Sequence, residues 1–371
     1  MINLLKYHFK KKWVLIVVLS FVALLITYLT NANHSYIASY TSIYELNIQY
    51  VYATNPPIIT PTVISAILAT IIPFVEFSFK MKKVNIDQYY SLPIKREKLY
   101  LTNFIFGYIE IIIPVTVSYI CGLLSLFNKP SMFENIYFLP YYFVLLVITL
   151  LVYSIIAFIY TRNNSFIDGF VNVIFIIFSL CIFVGALKTI FNATETFVNI
   201  ENYFDVSWYI LYSPFTYLSG IFEELLCNGH LVEYYEDLPI IRVALSLFII
   251  LGIACFVLFY LFSKREKAED CLQITKSFIS FRTMIPHYVV TSIILLKGAG
   301  LGVMLLVSIA GFFLYVLHHK SFKFKPSTII TLTASCVLAI VLAIILDEID
   351  HNNRFVIMET IFRGLNLWKI N

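Results

Sequence analysis

Long apolar runs separated by short polar loops are the dominant pattern along the chain. A membrane-spanning helix needs about 20 consecutive, mostly apolar residues. The pattern therefore predicts spans at 13–30, 58–79, 103–127, 138–160, 168–191, 241–263, 299–317 and 327–346. A weaker apolar stretch at 284–297 is followed by a glycine-rich break and predicts the first arm of a short helical hairpin.

Lysine and arginine are distributed unequally between alternate loops. The N-terminus and the loops at 80–98, 161–167 and 264–283 are basic, whereas the loop at 192–240 carries acids and no lysine or arginine. Loops rich in Lys and Arg remain on the cytoplasmic side of a membrane. The distribution therefore predicts a cytoplasmic N-terminus in a plasma membrane.

The C-terminal third allows two topologies. The basic segment 318–325 lies on the cytoplasmic side if 284–317 crosses the membrane twice. That arrangement gives nine segments and an outward tail at 351–371. The alternative has eight segments and a cytoplasmic tail.

Composition supports a membrane location. Apolar residues make up 60% of the chain and charged residues 13%, whereas soluble domains have about 45–50% and about 25%. We expect an all-α polytopic protein whose main surroundings are membrane lipid. The formal net charge of +4 comes from the loops and does not predict a nucleic-acid partner.

Signatures of independent catalysis are absent from the sequence. It contains no GxxxxGK[ST], HExxH or GxSxG motif, and none of its six cysteines forms a CxxC pair. We therefore predict that the chain is not an enzyme and binds neither a metal nor a nucleotide cofactor.

The basic loop at 80–103 has more apolar residues than a simple connection needs. It contains Tyr89 and Tyr90, then a turn at Pro93 and a predicted amphipathic helix from Ile94 to Asn103. Proline is favoured in the first turn of a helix. The residues alone allow two interpretations: a docking site for another protein, or an interfacial helix on anionic lipid.

Three short segments resemble bacterial ABC exporter permeases of the second membrane type. Residues 89–114, YYSLPIKREKLYLTNFIFGYIEIIIP, are similar to the segment around the family's third helix. SPFTYL at 213–218 and FSKREKAED at 262–270 resemble elements before and after the sixth helix, although Ala268 stands where the family has an acid. The C-terminal segments resemble those of the Ytr-type branch.

The resemblance implies a fold and a mechanism. Residues 1–263 would form a six-span core with an inner loop at 80–103 and an outer loop at 192–240. Residues 264–371 would add two or three membrane segments and a short tail. The chain would pair with a second copy or a sister permease, and separate ABC ATPase subunits would hold the ATP and Mg. Contact with the ATPase is expected from Tyr89, Tyr90, Leu92, Pro93, Ile94, Arg96, Leu99 and Tyr100.

Substrate contacts are expected in two places. Glu110 lies about two turns inside the third span, where an ionised acid is costly unless it is paired or faces a cavity. The outer loop carries aromatic side chains that could contact an exported hydrophobic peptide, antibiotic or envelope lipid: Trp208, Tyr209, Phe215 and Tyr217. The alternative function is a membrane sensor or immunity protein that binds antimicrobial peptides through this loop without transport.

Overall fold

The computed structural model describes residues 2–33, 56–91, 93–126, 138–174, 176, 238–266, 269, 271, 281–296, 301–319, 322 and 326–367. These residues are helical or lie in short connections, with no strand among them. In chain order the helices are α1 (Ile2–Asn33), α2 (Pro56–Phe77), α3 (Lys83–Tyr90), α4 (Arg96–Leu126), α5 (Phe138–Thr161), α6 (166–174), α7 (Leu238–Ser263), α8 (Phe281–Leu295), α9 (Leu301–His319) and α10 (Pro326–Leu367).

Five stretches of these helices are long and apolar enough to cross a membrane, and they lie in α1, α2, α4, α5 and α10. Shorter apolar stretches occur in α7, α8 and α9. Large apolar side chains cover the outer surface of α1, with Phe21 and Tyr28 both more than half exposed. Lipid is the solvent that such a surface requires, so the described helices identify a multi-pass membrane protein.

The chain folds as two compact units. Unit 1 comprises Met1–Phe166 and Ser213–Gln273, and unit 2 comprises Ile167–Tyr212 and Ile274–Asn371. The predicted boundary at residue 263 lies near the end of unit 1. The segment that precedes the outer loop is grouped with the C-terminal extension.

Helix α4 is the central helix of unit 1. It packs against α1, α2, α5 and α7, and α2 in turn packs against α5. In the most apolar stretch of each helix, 61% of α2 is buried but only 17% of α1. The interior of this unit therefore lies around α2 and α4, and α1 lies at its periphery.

Polar side chains join the helices of unit 1 within the apolar region. The hydroxyl oxygens of Thr27 and Ser118 lie 2.7 Å apart, and those of Thr62 and Tyr141 lie 2.6 Å apart. Such hydrogen bonds satisfy side chains that have no water to bind in a membrane.

Unit 2 contains a separate core built by α8, α9 and α10. Ile285, Val289 and Ile293 of α8 pack with Met304 and Tyr315 of α9 and with alanines of α10. The predicted hairpin arms at 284–297 and 299–317 are therefore two helices packed against each other. Helix α8 has only 15 residues, and the choice between eight and nine membrane segments stays a prediction.

The predicted start of the amphipathic helix is wrong. This segment does not form its own helix from Ile94 to Asn103, because α4 begins at Arg96 and continues to Leu126. No proline or glycine interrupts the first turns of α4, so they continue into the apolar span. Helix α10 continues beyond the last predicted span to Leu367, and the side of the membrane on which 351–371 lies stays a prediction.

Candidate functional site

Residues 78–100, called the 78–100 loop below, connect α2 to α4 at one end of unit 1. The loop begins with a 3-10 turn at Ser78–Met81, continues through α3 and turns again before Arg96. The first backbone hydrogen bonds of α4 run from the amides of Lys98 and Leu99 to the carbonyl of Lys95, at 2.9 and 3.1 Å. Lys95 is therefore the N-cap residue of α4.

An aromatic cluster holds the two ends of the loop together. The ring of Phe79 lies 4.9 Å from that of Tyr89 and 5.6 Å from that of Tyr100, measured between centroids. The hydroxyl oxygens of Tyr90 and Tyr100 lie 3.1 Å apart. Burial raises the pKa of the Tyr90 phenol, which keeps it neutral and able to share this hydrogen bond.

Arg96 connects the loop to the end of α7. Its guanidinium carbon lies 4.8 Å from the centre of the Tyr90 ring, within the range of a cation–π interaction. Its Nη1 donates a hydrogen bond to the backbone carbonyl of Glu266. The first residue of α4 is therefore fixed to both α3 and the segment that follows α7.

Glu266 is the centre of a buried ion-pair network. Its Oε2 lies 2.6 Å from Lys80 Nζ, and its Oε1 accepts a hydrogen bond from Arg162. Lys80 Nζ also donates to the backbone carbonyl of Thr161. The side chains of Lys80 and Glu266 are 4% and 7% exposed, so little water competes for these contacts.

The network joins the ends of four helices. Lys80 follows α2, Arg162 follows α5, Glu266 follows α7, and Arg96 begins α4. We call the side chains of Lys80, Arg96, Arg162 and Glu266 the Glu266 network. Its contacts place three loops that the charge pattern assigned to one side of the membrane at the same end of unit 1.

The turn that precedes α4 is the exposed part of the loop. Pro93, Ile94 and Lys95 are exposed, and Ile94 exposes 38% of its surface although it is apolar. Leu99 and Tyr100, which we predicted to contact a partner, are buried at 2% and 1% exposure and pack inside unit 1. Leu92 lies outside the described residues.

A second charged cluster lies between α1, α2 and α4. Lys12 Nζ forms an ion pair with Glu76 and lies 3.9 Å from Glu110 Oε1. Both carboxylate side chains are almost fully buried, and the same ammonium group lies within ion-pair distance of both. Glu110 is thus close to a cation inside the helix bundle, and its assignment to a substrate path stays a prediction.

The spacing of four residues between Glu76 and Lys80 favours a local ion pair, but the two side chains do not pair with each other. Glu76 pairs with Lys12 and Lys80 pairs with Glu266. Both partners come from distant parts of the chain, which the spacing within one helix does not reveal.

Sequence reasoning also missed Glu266. A signal was available, since Glu266 is an acid flanked by Lys264, Arg265 and Lys267 in a basic segment. The aromatic residues assigned to the outer loop lie outside the described residues: Trp208, Tyr209, Phe215 and Tyr217.

Comparisons with known proteins found no match for this chain. No protein-family model matches the chain, nor does any curated protein or solved structure. The described residues are helical, and several of their helices are long and apolar enough to cross a membrane.

Proposed function

We propose that this chain is the membrane-spanning permease subunit of an ATP-driven ABC exporter. A separate ATPase subunit would dock on the 78–100 loop and hold the ATP and Mg. The observation that carries the proposal is an exposed apolar tip, at Pro93 and Ile94, on a base that ion pairs and a hydrogen bond from Arg96 fix to the ends of four helices.

A loop that transmits force needs a base that does not deform. The Glu266 network and the aromatic cluster provide that base. The ion pair between Lys80 and Glu266 is buried and joins distant chain segments, and the aromatic cluster joins the two ends of the loop. An interfacial helix that merely lies on lipid has no need for such connections. The braced base therefore favours protein docking over the lipid-surface interpretation of this loop.

Helix α4 provides the path from the tip into the bundle. Its 31 residues form one continuous helix, which at 1.5 Å per residue is about 46 Å long. Because α4 packs against α1, α2, α5 and α7, movement of its first turn changes the packing of the whole unit. ATP-driven closure of two ATPases would move the first turn of α4, and α4 would transmit that movement to the other helices.

The proposed cargo is hydrophobic or amphipathic: a peptide, an antibiotic or an envelope lipid. This part of the proposal rests on the resemblance to exporter permeases and on the apolar character of the bundle. A second copy of the chain or a sister permease would form the other wall of the path. The competing sensor function depends on residues 192–240, and no feature of the described residues favours it.

Co-purification tests the proposal. We expect the tagged protein, solubilised in mild detergent from its host, to retain a partner whose sequence contains a GxxxxGK[ST] motif and which hydrolyses ATP. The double variant Ile94→Asp/Lys95→Glu should lose this partner, because it places charge on the exposed tip without touching the Glu266 network.

A matched variant controls for the change in composition. Phe322→Asp/Lys11→Glu introduces the same two acids, again in place of an apolar residue and a lysine, at exposed positions of another loop and of α1. We expect it to keep the ATPase. Retention of the ATPase by the tip variant, or its absence from the wild-type preparation in several detergents, would refute docking at this loop.

A further inference from the structure

A groove with a charged mouth lies between the N-terminal part of α1 and helix α4. Its volume is about 460 Å³, and its walls are formed by Leu5, Phe9 and Trp13 of α1 with Phe106 and Ile109 of α4. Lys6 and Lys10 of α1 complete the lining. The groove lies entirely within unit 1.

Helical spacing explains why lysines and apolar residues share this face of α1. Lys6, Lys10 and Trp13 follow one another at intervals of four and three residues, so they lie on one side of the helix. Trp13 begins the apolar run at 13–30, which places it at the boundary between the membrane and water, where tryptophan is enriched. The two lysines therefore lie at the level of lipid headgroups.

Lys6 and Lys10 give the groove a positive border, with no acid among the described residues that line it. Neither lysine forms an ion pair with any described residue. The acids Glu76 and Glu110 lie beside Lys12 instead. Lys11 adds a further exposed positive charge to this end of α1.

The apolar wall is open on its outer side. Phe9 and Trp13 are 50% and 53% exposed although they lie beside the buried Phe106. An apolar slot bordered by two exposed lysines matches a molecule with an acyl chain below a negatively charged headgroup. Zwitterionic lipid matches the slot equally well but lacks the net charge that the lysines attract.

We propose that this groove binds an anionic phospholipid from the leaflet at the lysine-rich end of α1. Its phosphate contacts Lys6 and Lys10, and an acyl chain lies along Leu5, Phe9 and Trp13 against Phe106. The inference does not depend on the exporter function, because it concerns only the membrane-facing surface of α1 and α4.

Trp13 provides a local probe for the test. The chain has three tryptophans, so Trp208→Phe/Trp368→Phe leaves Trp13 alone in the full-length protein. This variant is reconstituted into vesicles in which either phosphatidylglycerol or phosphatidylcholine carries bromine on its acyl chains. We expect brominated phosphatidylglycerol to quench Trp13 fluorescence with the higher apparent binding constant.

Charge variants then locate the headgroup site. Lys6→Gln/Lys10→Gln should reduce the preference for the anionic lipid by about 25-fold, since each lysine near an anionic surface contributes a factor of about five. Lys6→Arg/Lys10→Arg keeps the charge and should keep the preference. Lys82→Gln/Lys98→Gln removes the same charge from two exposed positions outside α1 and should change little.

Three results would overturn the proposal. Equal quenching by the two brominated lipids would show a groove that takes any lipid. A preference that persists in Lys6→Gln/Lys10→Gln would place the anionic site elsewhere. Weak quenching by both lipids would mean that protein, such as a second copy of the chain, covers Trp13.

Discussion

Glu266 shows how a single side chain organises the end of unit 1. It follows α7 in a basic segment, and its carboxylate receives Lys80 from the end of α2 and Arg162 from the end of α5. Without it, two cations would face each other in a site with little water. The buried acid therefore allows three basic loop segments to converge.

Replacement of Glu266 by Ala should destabilise the protein strongly. Removal of one partner of a buried ion pair costs about 3–5 kcal/mol, because the remaining charge stays buried without compensation. We expect a clearly lower midpoint of thermal unfolding for Glu266→Ala in detergent, measured by the loss of the monodisperse peak in size-exclusion chromatography.

Glu97→Ala is the matched control for this measurement. Glu97 lies 3.8 Å from Lys264 at a more exposed position, and exposed ion pairs contribute at most about 1 kcal/mol. Equal midpoints for the two variants would show that the Glu266 network does not hold the helix ends together.

At the residue scale, the sequence predicted positions better than partners. The spacing of Glu76 and Lys80 favoured a local pair, but their partners are Lys12 and Glu266. Contacts of this kind depend on which helices are neighbours, and a single sequence does not contain that information in its local pattern. Leu99 fitted a partner-binding motif and is a core residue.

At the scale of the elements, hydropathy located the helices well. The apolar runs at 13–30, 103–127 and 138–160 correspond to α1, α4 and α5, because a span must satisfy every backbone group internally and therefore be helical. Their ends were less predictable. Pro93 led us to predict a helix that starts at Ile94. Helix α4 starts two residues later, at Arg96, because the Lys95 carbonyl accepts its first hydrogen bonds.

The contact between α2, α4 and α5 depends on a glycine. A Cβ atom at Gly107 would lie 2.8 Å from Glu76 Cγ and would collide with the Tyr153 hydroxyl. Gly107→Ala should therefore lower the thermal midpoint in detergent, since overpacking of a tight interior costs about 1–3 kcal/mol.

Gly302→Ala provides the comparison for Gly107→Ala. A Cβ atom at Gly302, in α9, meets no atom within 4 Å, so the same substitution there should leave the midpoint unchanged or slightly higher. If Gly107→Ala were equally harmless, α2 and α4 would not be as closely packed as the structure places them.

For the whole molecule, composition and hydropathy predicted a helical membrane protein, and the described helices agree with that. The grouping of the chain was harder to foresee. Residues Ile167–Tyr212 belong to the same unit as the C-terminal extension, although they precede the last helix of the predicted core. The local pattern of apolar and polar residues does not show which segments pack together when they are this far apart in the chain.

In the proposed exporter, three parts of unit 1 act together. An exposed tip at Ile94 is the surface that a partner would contact, the Glu266 network fixes its base, and α4 connects it to the bundle. The central claim is that the tip touches an ATPase directly.

Site-specific photocrosslinking in living cells tests that contact most directly. With p-benzoylphenylalanine at position 94, ultraviolet light should produce an adduct with a chain that carries a GxxxxGK[ST] motif, identified by mass spectrometry. The same probe at the exposed position 322 should give no such adduct. If position 94 yields only lipid adducts or none, the loop lies on the membrane surface and the docking account is contradicted.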